Sequence, residues 1–70
     1  MPDSVYKVIE LVGTSSESWE KAAAAAVSLA SKSLRDLRVA EVTTLDMTLE
    51  DGKIKAYRAK VKLSFKYEHE

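Results

Sequence analysis

The sequence predicts a small α+β domain of order β-α-β-β, in which a three-stranded antiparallel sheet wraps around one long helix. Three observations predict it. An apolar-rich segment stops at Gly13 and is followed at once by Thr14, Ser15 and Ser16, residues that open helices. Five consecutive alanines, Ala22 to Ala26, then lie in a stretch of helical periodicity. Finally, two long segments rich in β-branched residues flank the pair Asp51-Gly52, the strongest short-range hairpin signal a sequence offers.

The first strand is expected over about Ser4 to Val12. Val5, Lys7, Ile9 and Leu11 alternate with Tyr6, Val8, Glu10 and Val12, so both faces are largely apolar, as in a strand covered on both sides. The helix is expected from Ser16 to Leu37, because Trp19, Ala23, Ala26, Ala30, Leu34 and Leu37 recur at helical spacing. Thr14 and Glu17 stand at the separation of a capping box, in which hydroxyl and carboxylate satisfy each other's free backbone N–H groups. Lys32, Arg35 and Arg38 gather toward the other end, where cations suit the helix dipole. The alanines keep the helix thin, so other backbones can come close. Trp19, on the apolar stripe of the first turn, reads as a packing residue.

Arg38–Glu50 and Lys53–Tyr67 are the second and third strands. A two-residue loop at Asp51-Gly52 sets Glu50 opposite Lys53, and a regular ladder then sets Thr44 against Ala59, Asp46 against Tyr57, Val42 against Val61 and Ala40 against Leu63. With Phe65 and Tyr67 these form an apolar face suited to the alanine-rich helix. The opposite face sets Glu41 against Lys62, Thr43 against Lys60 and Leu45 against Arg58, and a β-bulge would shift this register. One helix cannot cover both sides of such a sheet. Val39, Leu45, Met47, Leu49 and Ile54 are left over on the second face and need a partner subunit.

The whole chain of 70 residues makes one domain, residues 1–70, and a chain this short buries only about 60% of its unfolded surface. Cysteine is absent, which removes disulfides and thiolate metal sites, so self-association is the expected source of stability. Eleven basic and eleven acidic residues cancel, leaving no global field toward nucleic acid or an anionic membrane. No apolar run is long enough to span a bilayer and the first residues lack a signal pattern, so a cytoplasmic protein is expected.

Chemistry-bearing residues are few. His69 lies next to the end without converging partners, and Ser15, Ser16 and Ser18 have no base beside them, so an enzyme is not expected. Arg58, Lys60, Lys62 and Lys66 form a basic stripe on the last strand. It reads as a solvated or cross-strand-paired face, with a phosphate-bearing ligand as the sharper alternative. Glu17, Asp46, Glu50 and Asp51 offer oxygen ligands that could join across subunits around a hard cation, calcium or magnesium.

In this order and at these separations, Val5-Tyr6-Lys7-Val8-Ile9-Glu10, Gly13-Thr14-Ser15, Ser18-Trp19-Glu20 with the alanine helix, Glu41-Val42, Asp51-Gly52 and Ser64-Phe65-Lys66 resemble the dodecin family over nearly the full chain. The resemblance implies a hollow homododecamer that binds or stores a small molecule or ion, most often a flavin. In flavin-binding dodecins a tryptophan near the start of strand two stacks on the ring, and a glutamine follows the tyrosine of strand three. Val39 and Arg58 occupy those places here. Loss of a stacking platform removes about 1–3 kcal/mol, so flavin becomes the less favoured ligand. Arg38-Val39-Ala40, Asp46-Met47 and Ser64-Phe65-Lys66 are more similar to the calcium dodecin branch. The ligand pocket is accordingly expected at Val39, Glu41, Leu45 and Arg58, and the metal ligands at Glu17, Asp46 and Glu50, with Glu17 matching an acidic position that faces ion-lined symmetry channels in flavin dodecins. A flavin binder with a modified pocket, holding riboflavin or its phosphate, is the alternative. A structural module with a vestigial pocket is a third reading.

Overall fold

The computed structural model describes residues 4–66; Tyr67 and His69, which figure in the sequence expectations, lie outside them. Strand β1 (Tyr6–Ser15) leads into helix α1 (Trp19–Ser31), and strands β2 (Leu37–Glu50) and β3 (Lys53–Lys66) form a long hairpin. Both β1 and β2 pair antiparallel with β3, giving the order β1-β3-β2. The fold class is the expected one.

Element boundaries depart from expectation at both ends of the helix. β1 continues through Gly13, Thr14 and Ser15, which pair with Ala59, Arg58 and Tyr57. Thr14 is therefore a strand residue and cannot cap. Ser18 is the N-cap: its backbone is extended and its hydroxyl accepts from the Lys21 N–H at 3.0 Å. Ser15 accepts from the Glu17 N–H at 3.0 Å, and the Glu17 carboxylate pairs with Lys21 one turn on. Ladder pairing and a cap nearer the helix together replace the Thr14–Glu17 box. At the other end the N–H groups of Ser33 and Leu34 both donate to the Ala30 carbonyl, at 3.1 and 2.9 Å. Asp36 then takes a left-handed conformation, φ 58°, which turns the chain into β2. Lys32, Arg35 and Arg38 consequently lie outside the helix, whose last turn carries no basic residue. Leu34 and Leu37 kept helical spacing because both pack on the core, though from the turn and the strand rather than from the helix.

The core is thin. Ala22, Ala26 and Ala30 recur every four residues along one helix face and meet Ala59, Val61 and Leu63, every second residue of β3. Ile9, Leu11, Ala23 and Val27 border them. The helix lies so close to β1 that a Cβ built on Gly13 would stand 2.0 Å from the Ala22 carbonyl oxygen. This close approach is why β1 carries glycine and the helix carries alanine.

A helix of 13 residues is about 20 Å long, whereas strands of 14 residues reach about 47 Å. The helix covers β1 and the adjoining part of β3, and the hairpin extends beyond it. The molecule is elongated, 54 × 20 × 14 Å, with a radius of gyration of 14.6 Å against about 11 Å for a compact chain of this length. Val39, Leu45, Met47, Leu49 and Ile54 are all exposed, as are Tyr6, Val8, Val12 and Val42. So much exposed apolar surface on one small chain marks an interface. No helix among the described residues is long and apolar enough to cross a membrane.

The hairpin tip is the expected type I′ loop, with Asp51 at φ 53° and Gly52 at φ 75°. Beyond it the register departs from a regular ladder. Glu50 and Leu49 face Lys53 and Ile54, but Thr48 faces Ala56, so Lys55 is an extra residue in β3. The offset lasts from Thr48 to Thr44. It is cancelled at Thr43, an extra residue in β2 whose hydroxyl donates to the Lys60 carbonyl at 3.2 Å. Val42, Glu41 and Ala40 are then back opposite Val61, Lys62 and Leu63, as expected, before a further irregularity at Arg38.

Candidate ligand-binding face

Directly opposed residues share a face of the sheet, so the register decides which side chains meet. On the helix side Tyr57, Ala59, Val61 and Leu63 line up with Met47, Leu45, Val42 and Ala40. On the distal side Arg58, Lys60, Lys62 and Ser64 of β3 stand between β1 and β2. Arg58 lies between Thr14 and Asp46, Lys60 between Val12 and Thr44, Lys62 between Glu10 and Glu41, and Ser64 between Val8 and Val39.

This corrects the expected pairs within the shifted window. Leu45 faces Ala59 and not Arg58, and Asp46 faces Arg58 and not Tyr57. Of the four residues expected to line a pocket, Val39, Glu41 and Arg58 share the distal face, whereas Leu45 is on the helix side. There Leu45 joins Trp19, Glu20, Ala23 and Val42 around an open, mostly apolar groove of about 440 Å³. The extra residue Lys55 is what exchanges the two faces.

The shift creates a contact that a regular ladder does not allow. Arg58 Nε donates to Asp46 Oδ1 at 2.7 Å and its Nη2 donates to Oδ2 at 2.8 Å, a bidentate fork. The backbone carbonyl of Asp46 accepts from Trp19 Nε1 at 2.9 Å, and the indole packs edge-on to Tyr57 with ring centroids 4.9 Å apart. Asp46 thus ties the hairpin to the first turn of the helix with its backbone and to the central strand with its side chain. Trp19 has the packing position expected of it.

Hydrogen bonding from Arg58 holds the Asp46 carboxyl below the usual carboxylate range; partial desolvation opposes this, and the charges of Arg58 and Lys60 reinforce it. The same pair raises the Arg58 guanidinium. A carboxylate whose pKa is depressed on folding stabilises the fold above its unfolded value, about 3.9, and loses that contribution as pH falls through the lower folded value. The melting temperature of Asp46→Asn is therefore expected to lie below that of the unsubstituted protein at neutral pH, with the gap closing in acid below about pH 3.9. A gap independent of pH would show that the charge of Asp46 contributes nothing.

The three expected metal ligands do not come together in one chain. Glu17 precedes the helix and pairs with Lys21; Glu50 is at the hairpin tip, with Lys55 Nζ at 3.9 Å; and both carboxylate oxygens of Asp46 are taken by Arg58. Among the described residues no three acidic or histidine side chains converge on a point.

The dodecin family model matches residues 5–68. The calcium dodecin of Mycobacterium tuberculosis is 55% identical over 64 residues, covering 90% of this chain and 89% of that protein. A crystal structure of a calcium-chelating antigen, calcium dodecin, from the same organism has a calcium-binding site and superposes with a TM-score of 0.82 at 53% identity, covering 93% of each chain. The dodecin of Streptomyces coelicolor superposes with a TM-score of 0.92 at 37% identity over the full length of both chains.

Proposed function

The chain belongs to the dodecin family, and from that premise we propose that it is the subunit of a dodecameric ligand-binding shell that holds a divalent cation, calcium first, in place of a flavin. The observation that carries this reading is the composition of β2, which has no aromatic residue from Leu37 to Glu50. Its distal face offers Val39, Glu41, Thr44 and Asp46, none of which can stack on a ring system. The similarity to calcium dodecin supports the cation.

A hard cation takes six to eight oxygen ligands, and the described residues of one chain do not bring enough of them together. The ion is therefore held by carboxylates from more than one subunit. With Asp46 committed to Arg58, Glu17 and Glu50 remain as candidate ligands. The exposed apolar residues of both sheet faces supply the contacts that bring subunits together, and the role is binding, not turnover.

Thermal melts of the purified protein with calcium, magnesium, riboflavin and coenzyme A, each run beside a sedimentation measurement, test the reading. A dodecamer whose melting point rises with calcium is expected; at a hundredfold excess over Kd the gain is about 2.7 kcal/mol. Riboflavin fluorescence is expected to remain unquenched. Strong quenching without a calcium shift would replace this reading by the flavin alternative, and no shift with any ligand would leave a structural module.

A further inference from the structure

The basic stripe of β3 survives on the distal face, and carboxylates face it in only some of its rows. Lys62 has Glu10 on one side and Glu41 on the other. Arg58 has Asp46, whereas Lys60, between Val12 and Thr44, has no carboxylate in its own row. Two residues apart on one strand, Arg58 and Lys60 share a face at roughly 6.7 Å along the chain. That separation lets a guanidinium and an ammonium grip one phosphate-bearing anion. The group that prevents it is the Asp46 carboxylate across the ladder from Arg58, which accepts two hydrogen bonds from the Arg58 fork.

We infer that Asp46 is a specificity-determining residue: it silences a latent anion-binding pair, Arg58 and Lys60, and so keeps phosphate-bearing ligands off this sheet face. Two further observations support this. The Asp46 carboxyl feels the charge of Lys60 as well as that of Arg58, so one carboxylate serves both cations. The contact also exists only because Lys55 is extra in β3, since a regular ladder would turn Asp46 to the helix side and leave Arg58 unclasped. The inference goes beyond the calcium reading and stands without it, because its readout is anion binding by a variant.

The test is calorimetric titration of inorganic pyrophosphate, at low salt and without divalent cations, into the unsubstituted protein, Asp46→Asn, Asp46→Thr, each of these two combined with Arg58→Gln, and Arg58→Gln alone. Asparagine keeps the shape and the backbone carbonyl that holds Trp19; threonine suits a strand if asparagine does not fold. Either removal of the charge is expected to tighten pyrophosphate binding at least tenfold, and adding Arg58→Gln is expected to abolish the gain. Equal affinity in the Asp46 variants and the starting protein overturns the inference, and so does a gain that persists without Arg58. A tenfold loss in Arg58→Gln alone would also overturn it, by showing that Arg58 binds anions despite Asp46.

Discussion

Gly13→Ala is expected to cost about 3 kcal/mol or more, because the added methyl group has no room. The added carbon would lie 2.0 Å from the Ala22 carbonyl oxygen, 3.0 Å from its carbon and 3.2 Å from the Ala26 Cβ. The nearest atoms are backbone, so no rotamer change relieves the overlap. The helix must lift away from β1, and the contacts of Ala22, Ala26 and Ala30 open with it. Trimming Ala26 to glycine in the same chain would not rescue it, because the carbonyl remains. Urea unfolding of the variant beside the starting protein measures the loss. A shift of less than about 1 kcal/mol would mean that the helix does not sit this close to the strand. Gly52 makes a useful contrast: nothing lies within 4 Å of a Cβ there, and only its φ of +75° resists substitution.

Leu63→Ala carries the second large effect, about 2–5 kcal/mol. Leu63 is 1% exposed and is the largest fully buried side chain of the core. The other buried residues of its cluster are four alanines and Val61, short groups that fill little of the space it leaves, with Ile9, Leu11, Val27, Leu34 and Leu37 only partly buried at the border. A core of this size supplies about 3–5 kcal/mol, so the isolated subunit is expected to unfold. What remains folded depends on association, which makes the midpoint of the variant's melt rise with protein concentration. A midpoint independent of concentration and equal to that of the starting protein would sink the expectation.

How much of this was legible in the residues can be argued from a few of them. Asp51-Gly52 determined the loop, because only residues that tolerate positive φ suit it, and the alanines announced a close approach to the helix, whereas Gly13, where β1 makes that approach, read as the end of the strand. Glu41 opposite Lys62 and Val42 opposite Val61 came out of counting from that loop. The helix ends were misread for opposite reasons. Four hydroxyl-bearing residues from Thr14 to Ser18 all suit a cap, and only tertiary pairing of β1 with β3 selects Ser18. Leu34 and Leu37 preserve helical spacing because burial, not helical conformation, places them.

The Asp46–Arg58 clasp was missed, though a signal for it was present. Opposite charges pair across strands, and Glu41–Lys62 and Asp46–Arg58 are both such pairs, but no single ladder satisfies the two together. Satisfying both requires one more residue on β2 between them, and Thr43 is that residue. The groove beside Trp19 was hidden for the same reason, since its wall at Leu45 had been counted onto the other face.

The offsets at Lys55 and Thr43 behave like paired frameshifts in a coding sequence: the first changes the frame, the second restores it, and only the text between them is read differently. Everything toward Val42 and Ala40 remains in phase with the core, while five residues of β2 present their alternate side chains to the opposite side. A strand built this way uncouples two constraints that a regular strand must satisfy together. The end that packs under the helix is bound to its hydrophobic alternation. The window from Thr44 to Thr48 is free to exchange chemistry between an outward surface and an inward one, so relatives that share this architecture can differ in what they hold without disturbing how they fold.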